Sequence, residues 1–144
     1  MRSYRTLCTV PMVILVGCAS VKLPRSYVET VPQVDATTLG SIIANYMKDT
    51  YPATKTTLVL VPPEPRQAEN PFTHSLLQSL SHAGFALADP TTHDGPNLHR
   101  LSYYVSAFDC GALVRLTVDG HQATRCYAQE AHRIVPVTPL TLSN

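Results

Sequence analysis

Two alternating apolar–polar runs meet at Asp119-Gly120, a dipeptide that strongly favours a two-residue hairpin turn. Ala112 to Val118 sets Ala, Val, Leu and Val against Leu, Arg and Thr, and Gln122 to Gln129 returns. Upstream, Leu101 to Phe108 sets Leu, Tyr, Val and Ala against Ser, Tyr, Ser and Phe, and Asp109-Cys110-Gly111 turns the chain. Period-two alternation buries one sheet face, so the last third reads as an antiparallel meander. With a two-residue loop at Asp119-Gly120, partners across that hairpin have numbers summing to 239.

Two helices precede the meander. Asp35 is an N-cap for a helix running to about Thr50, with Leu39, Ile42, Ile43, Tyr46 and Met47 on one stripe. Gly40 weakens this helix by up to ~1 kcal/mol relative to Ala, and Pro52 ends it. Thr56 to Val61 reads as a strand covered on both faces. Pro62-Pro63-Glu64-Pro65 is an irregular, extended connection. Asn70-Pro71 opens the second helix, whose stripe is Phe72, Leu76, Leu77, Leu80 and Ala83, and Gly84 stops it. Phe85 to Ala88 is a short strand, and Asp89 to Asn97 a surface loop. The expected fold is α+β, with two helices packed on one face of a small mixed sheet in the order α-β-α-β-β-β. Residues 136–144, with Pro136 and Pro139, are expected to form an extended Pro-containing C-terminal tail.

The N-terminus reads as an address. Arg2 and Arg5 precede a ten-residue apolar stretch, Leu7 to Val16, too short to span a bilayer and of signal-peptide size. It ends in Leu15-Val16-Gly17-Cys18, which resembles a bacterial lipobox. The resemblance implies cleavage between Gly17 and Cys18, a diacylglycerol on the Cys18 thiol and a palmitate-type acyl chain on the new amine. Ala19, where an Asp would favour inner-membrane retention, implies the outer membrane, with the domain in the periplasm. The expected organisation is a signal peptide over 1–17, a lipidated flexible tether over 18–34 and a domain over 35–135. Sixteen extended tether residues reach at most ~55 Å, enough to hold the domain off the membrane.

Charge then changes meaning. The full chain has 11 Lys+Arg against 10 Asp+Glu, a net charge of +1. Losing Arg2 and Arg5 with the signal leaves nine basic against ten acidic side chains, a net −1. Charged residues are 15% of the chain, against about 25% in ordinary domains. A direct nucleic-acid contact needs a clustered basic surface, and this composition argues against one.

The residues offer little chemistry. His74, His82, His93, His99, His121 and His132 match no zinc spacing, so no metal or other cofactor is expected. No GxSxG, P-loop or GxGxxG occurs. Asp109 and Asp119 sit in turns at opposite ends of one strand, which argues against a carboxylate pair. Neither an enzyme nor a small-molecule substrate is expected. Cys8 leaves with the signal and Cys18 is lipidated, which leaves Cys110 and Cys126 as a candidate disulfide in an oxidising compartment. Register argues against it. Cys126 falls opposite Leu113 in the 239 register, or opposite Val114 with a three-residue loop, and either way the two Cα atoms are about 10–13 Å apart, beyond disulfide reach. A bond requires a bulge or a bent strand; the alternative is a free, buried Cys126.

Phe72 to Asp89 (FTHSLLQSLSHAGFALAD), Leu101 to Leu116 (LSYYVSAFDCGALVRL), Arg125-Cys126-Tyr127 and Thr138-Pro139-Leu140 together resemble the TrbH family of conjugal transfer lipoproteins. The likeness runs over roughly residues 35 to 142. Cys110, where Gly is commoner, and the longer proline-rich loop depart from the family pattern. The resemblance implies a structural subunit of a conjugative type IV secretion system, standing among other mating-pair-formation subunits. The strand Gln122 to Gln129 and the Pro-rich tail are the expected contact surface, through strand addition at a sheet edge. The other reading is a free-standing envelope binding lipoprotein, such as a cofactor of a cell-wall enzyme or a surface-exclusion factor.

Overall fold

The computed structural model describes residues 25–32 and 34–144. Gly17, Cys18 and the first part of the expected tether, through residue 24, lie outside the described residues, as does residue 33. The fold is α+β. Its elements are β1 (Tyr27–Val28), α1 (Ala36–Thr50), β2 (Thr57–Leu60), α2 (Pro71–His82), β3 (Ala86–Ala88), β4 (Leu98–Phe108), β5 (Gly111–Val118), β6 (His121–Glu130), β7 (Arg133–Pro136) and β8 (Thr141–Ser143). The sheet runs β3-β2-β4-β5-β6-β7, with β1 also on β4 and β8 also on β6. Strands β3, β2, β4 and β1 are mutually parallel, and β4 to β8 pair antiparallel. Helix α2 is the crossover that parallel β2 and β3 require.

Local chemistry sets the helix boundaries. Asp35 Oδ2 accepts hydrogen bonds from Thr38 N at 2.7 Å and from Thr38 Oγ1 at 2.6 Å. Asn70 Oδ1 accepts from Phe72 N at 2.9 Å, with Pro71 at the first helical position. Gly84 takes φ +96° just past α2, a left-handed stop that leaves the next strand free to turn back.

The Asp35 cap is testable through pH. Hydrogen bonds from the Thr38 hydroxyl and amide hold its carboxyl below the ordinary value of 3.8, because they favour the charged form. A folded-state pKa below the unfolded one contributes stability above pH 3.8, lost as pH falls through the folded value. Asp35→Ala is therefore expected to cost about 1 kcal/mol at neutral pH. The gap between the two thermal melts should close on acidification, and a gap independent of pH would contradict the cap.

Leu39, Ile43 and Met47 of α1 and Phe72, Leu76 and Leu80 of α2 are buried against one sheet face. They meet Leu58, Leu60, Leu101, Tyr103, Val105, Val114, Leu116 and Val118 in one core. The small residues Gly40 and Ala44 are buried too. A Cβ at Gly40 would lie 3.2 Å from Leu76 N and from the Ser75 carbonyl, so α1 and α2 approach backbone to backbone there. The glycine that weakens α1 by itself thus permits the helix pair. Gly40→Leu should overpack this crossing and cost about 1–3 kcal/mol in denaturant unfolding. An unchanged midpoint would show that the helices can separate freely.

Strand β2 is covered on both faces, as its apolar run implies. Leu58 and Leu60 join the helix-side core, while Val59 on the other side is also sealed. Arg100, the β4 partner of Val59, donates from Nη1 to Thr92 O at 2.9 Å and from Nη2 to Pro90 O at 3.3 Å. Its side chain therefore crosses β2 and pins the loop after β3 over Val59.

Three expectations need correction. The segment over 18–34 is not all tether. Ser26, Val28 and Val34 are buried, β1 pairs Tyr27 with Tyr104 and Val28 with Val105, and Ser26 Oγ accepts from Tyr103 N at 3.1 Å. The last residues read as linker thus fill the β4 edge above the point where short β2 ends.

Residues 136–144 are likewise not a free tail. Residues at Glu130 to Arg133 turn the chain, with Ala131 at φ 53°, and β7 returns along β6. Val137 N donates to Cys126 O at 2.9 Å, and β8 rejoins β6 lower down through Ala123 and Leu142. Pro136 and Pro139 mark positions on an outermost ribbon, where a missing amide donor costs no ladder bond. Strand β6 is consequently not an edge, and its expected role as a strand-addition surface is closed by β7 and β8.

The third correction is the disulfide. The 239 register is as expected, with Leu113 opposite Cys126, yet Cys110 and Cys126 are bonded with Cα atoms 6.3 Å apart. The β5–β6 ladder starts only at Ala112 opposite Tyr127. Before it, Gly111 adopts φ +119° and lies directly on the Tyr127–Ala128 backbone. A bend of this kind, as in a glycine bulge, takes Cys110 off the strand line used for the 10–13 Å estimate.

Candidate functional site

The cluster closest to catalytic geometry joins His99, Asp119 and Tyr51. His99 Nδ1 lies 2.6 Å from Asp119 Oδ2, and the Tyr51 and His99 ring centroids are 5.1 Å apart. The other carboxylate oxygen of Asp119 accepts Arg100 N at 2.9 Å, and its own amide donates to Arg100 O at 3.1 Å. Asp119 takes φ 50° and Gly120 φ 93°, the two positive values of a type I′ hairpin. Asp119 therefore closes one turn and holds the start of β4, with His99 as part of that clamp. Burial, with the Asp119 charge second, raises the Tyr51 phenol above its ordinary range.

The other predicted positions are dispersed. His121 Nδ1 is 2.9 Å from Asn144 Oδ1, and Asp109 and Asp119 flank opposite ends of β5. Among the described residues, no group of three or more His, Cys, Asp or Glu side chains could hold a metal ion. Among them, too, no helix is long and apolar enough to cross a membrane.

Two surfaces have more to offer. A cavity of about 220 Å³ opens beside the β3 edge, lined by Leu60, Pro62, Pro63, Leu77, Leu87 and Tyr103. Its floor is rigid: Tyr103 is buried, and its hydroxyl shares a 2.9 Å hydrogen bond with Thr73 Oγ1. Burial pushes the Tyr103 phenol up, and the Thr73 bond offsets this in part.

The second surface is the sheet face turned away from both helices. Register brings Tyr27, Tyr104 and Arg115 into one row across β1, β4 and β5. The tyrosine rings stack with centroids 5.0 Å apart, and the Arg115 guanidinium carbon lies 5.6 Å from the Tyr104 centroid, within cation–π range. Phe108, on the same face of β4, is 62% exposed. Among the described residues no carboxylate pairs with Arg115. Alternation showed Tyr104, Phe108 and Arg115 off the core face. What links them is the first hairpin: a two-residue turn at Asp109-Cys110 makes partner numbers sum to 219 and sets Tyr104 opposite Arg115. Tyr27 carried no sequence signal, because a two-residue strand has no period.

The family described as "Conjugal transfer protein TrbH" matches residues 21–144. No curated protein matches the chain, and no solved structure does.

Proposed function

We propose, because the chain belongs to the TrbH family of conjugal transfer proteins, that it is a structural, non-enzymatic subunit of a conjugative type IV secretion system. In this reading Cys18 carries the lipid, the anchor sits in the outer membrane, and the domain works in the periplasm beside other mating-pair-formation subunits. It touches neither the transferred DNA nor a small-molecule substrate. The family match over nearly the whole mature chain carries the proposal. A Cys110–Cys126 bond accords with an oxidising compartment. The polar cluster at His99 and Asp119 holds a turn.

The test is co-purification of the tagged, lipidated protein from donor cells, beside a mating assay. Wild type should bring down envelope subunits of the transfer apparatus, and its deletion should lower transfer. Cys18→Ser should accumulate uncleaved precursor and lower transfer by an order of magnitude or more. Normal processing and transfer in that variant would remove the anchor from the reading.

The C-terminal ribbon stays in the proposal as contact surface, now as an ordered outer strand. Leu142 is 68% exposed, and Val137 and Leu140 are exposed beside it. Leu142→Asp is expected to leave the thermal melt unchanged and to weaken co-purification. Undiminished assembly would sink this part.

A further inference from the structure

We propose that the open sheet face, through Tyr27, Tyr104, Phe108 and Arg115, rests on the surface of the phospholipid bilayer that carries the anchor. The inference builds on lipidation at Cys18 and replaces a domain held off the membrane by one lying against it.

The length and exit of the chain argue for this occupant. With β1 in the sheet, only eight residues separate Cys18 from Tyr27, nine residue steps that span at most ~32 Å when fully extended. The segment that reaches the lipid joins the fold at Arg25 and Ser26, immediately before Tyr27, which is itself part of the open face. Diffusing on so short a leash, the domain meets the bilayer at high effective concentration, with this face nearest its point of attachment.

The chemistry of the face fits the occupant. Tyrosine is enriched where hydrocarbon meets headgroups, its ring in the apolar zone and its hydroxyl in the wet one. Tyr27 and Tyr104 are each 37% exposed and prealigned by stacking, so docking orders little that is not already ordered. Phe108 projects further and has no polar atom to satisfy. Arg115 places a cation beside the rings with no carboxylate partner among the described residues, which suits a lipid phosphate. Arg115 and Arg133 stand at outward positions of β5 and β7, against Glu130 of β6 and the exposed Glu29 just past β1, while the Arg100 guanidinium is bonded to the Thr92 and Pro90 carbonyls. These outward charges balance, so the attraction to anionic headgroups is local, from Arg115 beside the tyrosine rings.

The chain contains no Trp, so a single introduced Trp reports its own depth. Tyr104→Trp, Phe108→Trp and, as control on the exposed side of α1, Asn45→Trp would each be purified as the lipidated protein. Each would then be placed in phosphatidylethanolamine–phosphatidylglycerol vesicles containing brominated phospholipid. Intact mass would report the acyl chains on Cys18, and a thermal melt would confirm folding. Quenching several-fold stronger at positions 104 and 108 than at 45, with the acyl mass present, is expected. Equal quenching at all three positions with the acyl mass present would overturn the resting face and leave the anchor standing. Absence of both acyl mass and vesicle binding would overturn anchor and face together.

Discussion

Gly111→Ala should be among the most destabilising single substitutions in this domain, at about 3–4 kcal/mol, with a Tm lower by roughly 10–20 °C. Two costs add. Gly111 has φ +119°, a conformation that L side chains rarely adopt and that costs on the order of 1–3 kcal/mol when forced. A methyl group there would also run into the Tyr127 carbonyl oxygen and sit 3.1 Å from Ala128 Cα. Both obstacles are backbone atoms of a strand paired on both sides, so neither can yield without opening β6 from β5 or β7. Gly120→Ala is the internal control. Its φ is also positive at +93°, but no atom lies within 4 Å of the added carbon. It should show conformational strain alone and a clearly smaller loss. Equal effects at the two glycines would mean that the contact with β6 contributes nothing.

The same pair of glycines shows what could be read in the residues and what could not. Asp119-Gly120 announces its turn through local chemistry, and the register it implies is the one observed, through to Val118 opposite His121. Asp35, Asn70, Pro71 and Gly84 delimit the helices for the same reason: caps and stops act on neighbours within a few residues. Gly111 and Gly40 are different. Each is small because a distant backbone lies against it, and no local pattern names that partner. Strand β1 escaped because two residues carry no period, and β7 and β8 because proline disfavours a central strand but not an outer one. Of the open face, the strand positions were legible from alternation. The Tyr27–Tyr104–Arg115 row was not, since it requires three strands in register at once. The family assignment came from scattered packing and turn motifs, which identify relatives without exposing the surface that works.

Reducing the Cys110–Cys126 bond is expected to lower stability by about 3 kcal/mol, the loop-closure entropy of a 16-residue separation in the unfolded chain. Urea unfolding with and without reductant measures it on one and the same sequence. Cys110→Ala should reproduce most of the loss. Cys126→Ala should cost more, because that side chain is buried and its removal also leaves a void. The bond and Gly111 are adjacent, so their effects should not add. In the oxidised protein the disulfide ties the β4–β5 turn down to β6, and an alanine at position 111 has no room to retreat. Once the bond is gone, the turn can lift away from Tyr127 and relieve the clash at the expense of a few contacts at the end of the sheet. Gly111→Ala should therefore cost about half as much in the reduced protein, a coupling within the ~0.5–3 kcal/mol found for residues in contact. Strict additivity would mean that the turn is held on β6 by its ladder alone. The bond would then stabilise only by restricting the unfolded chain.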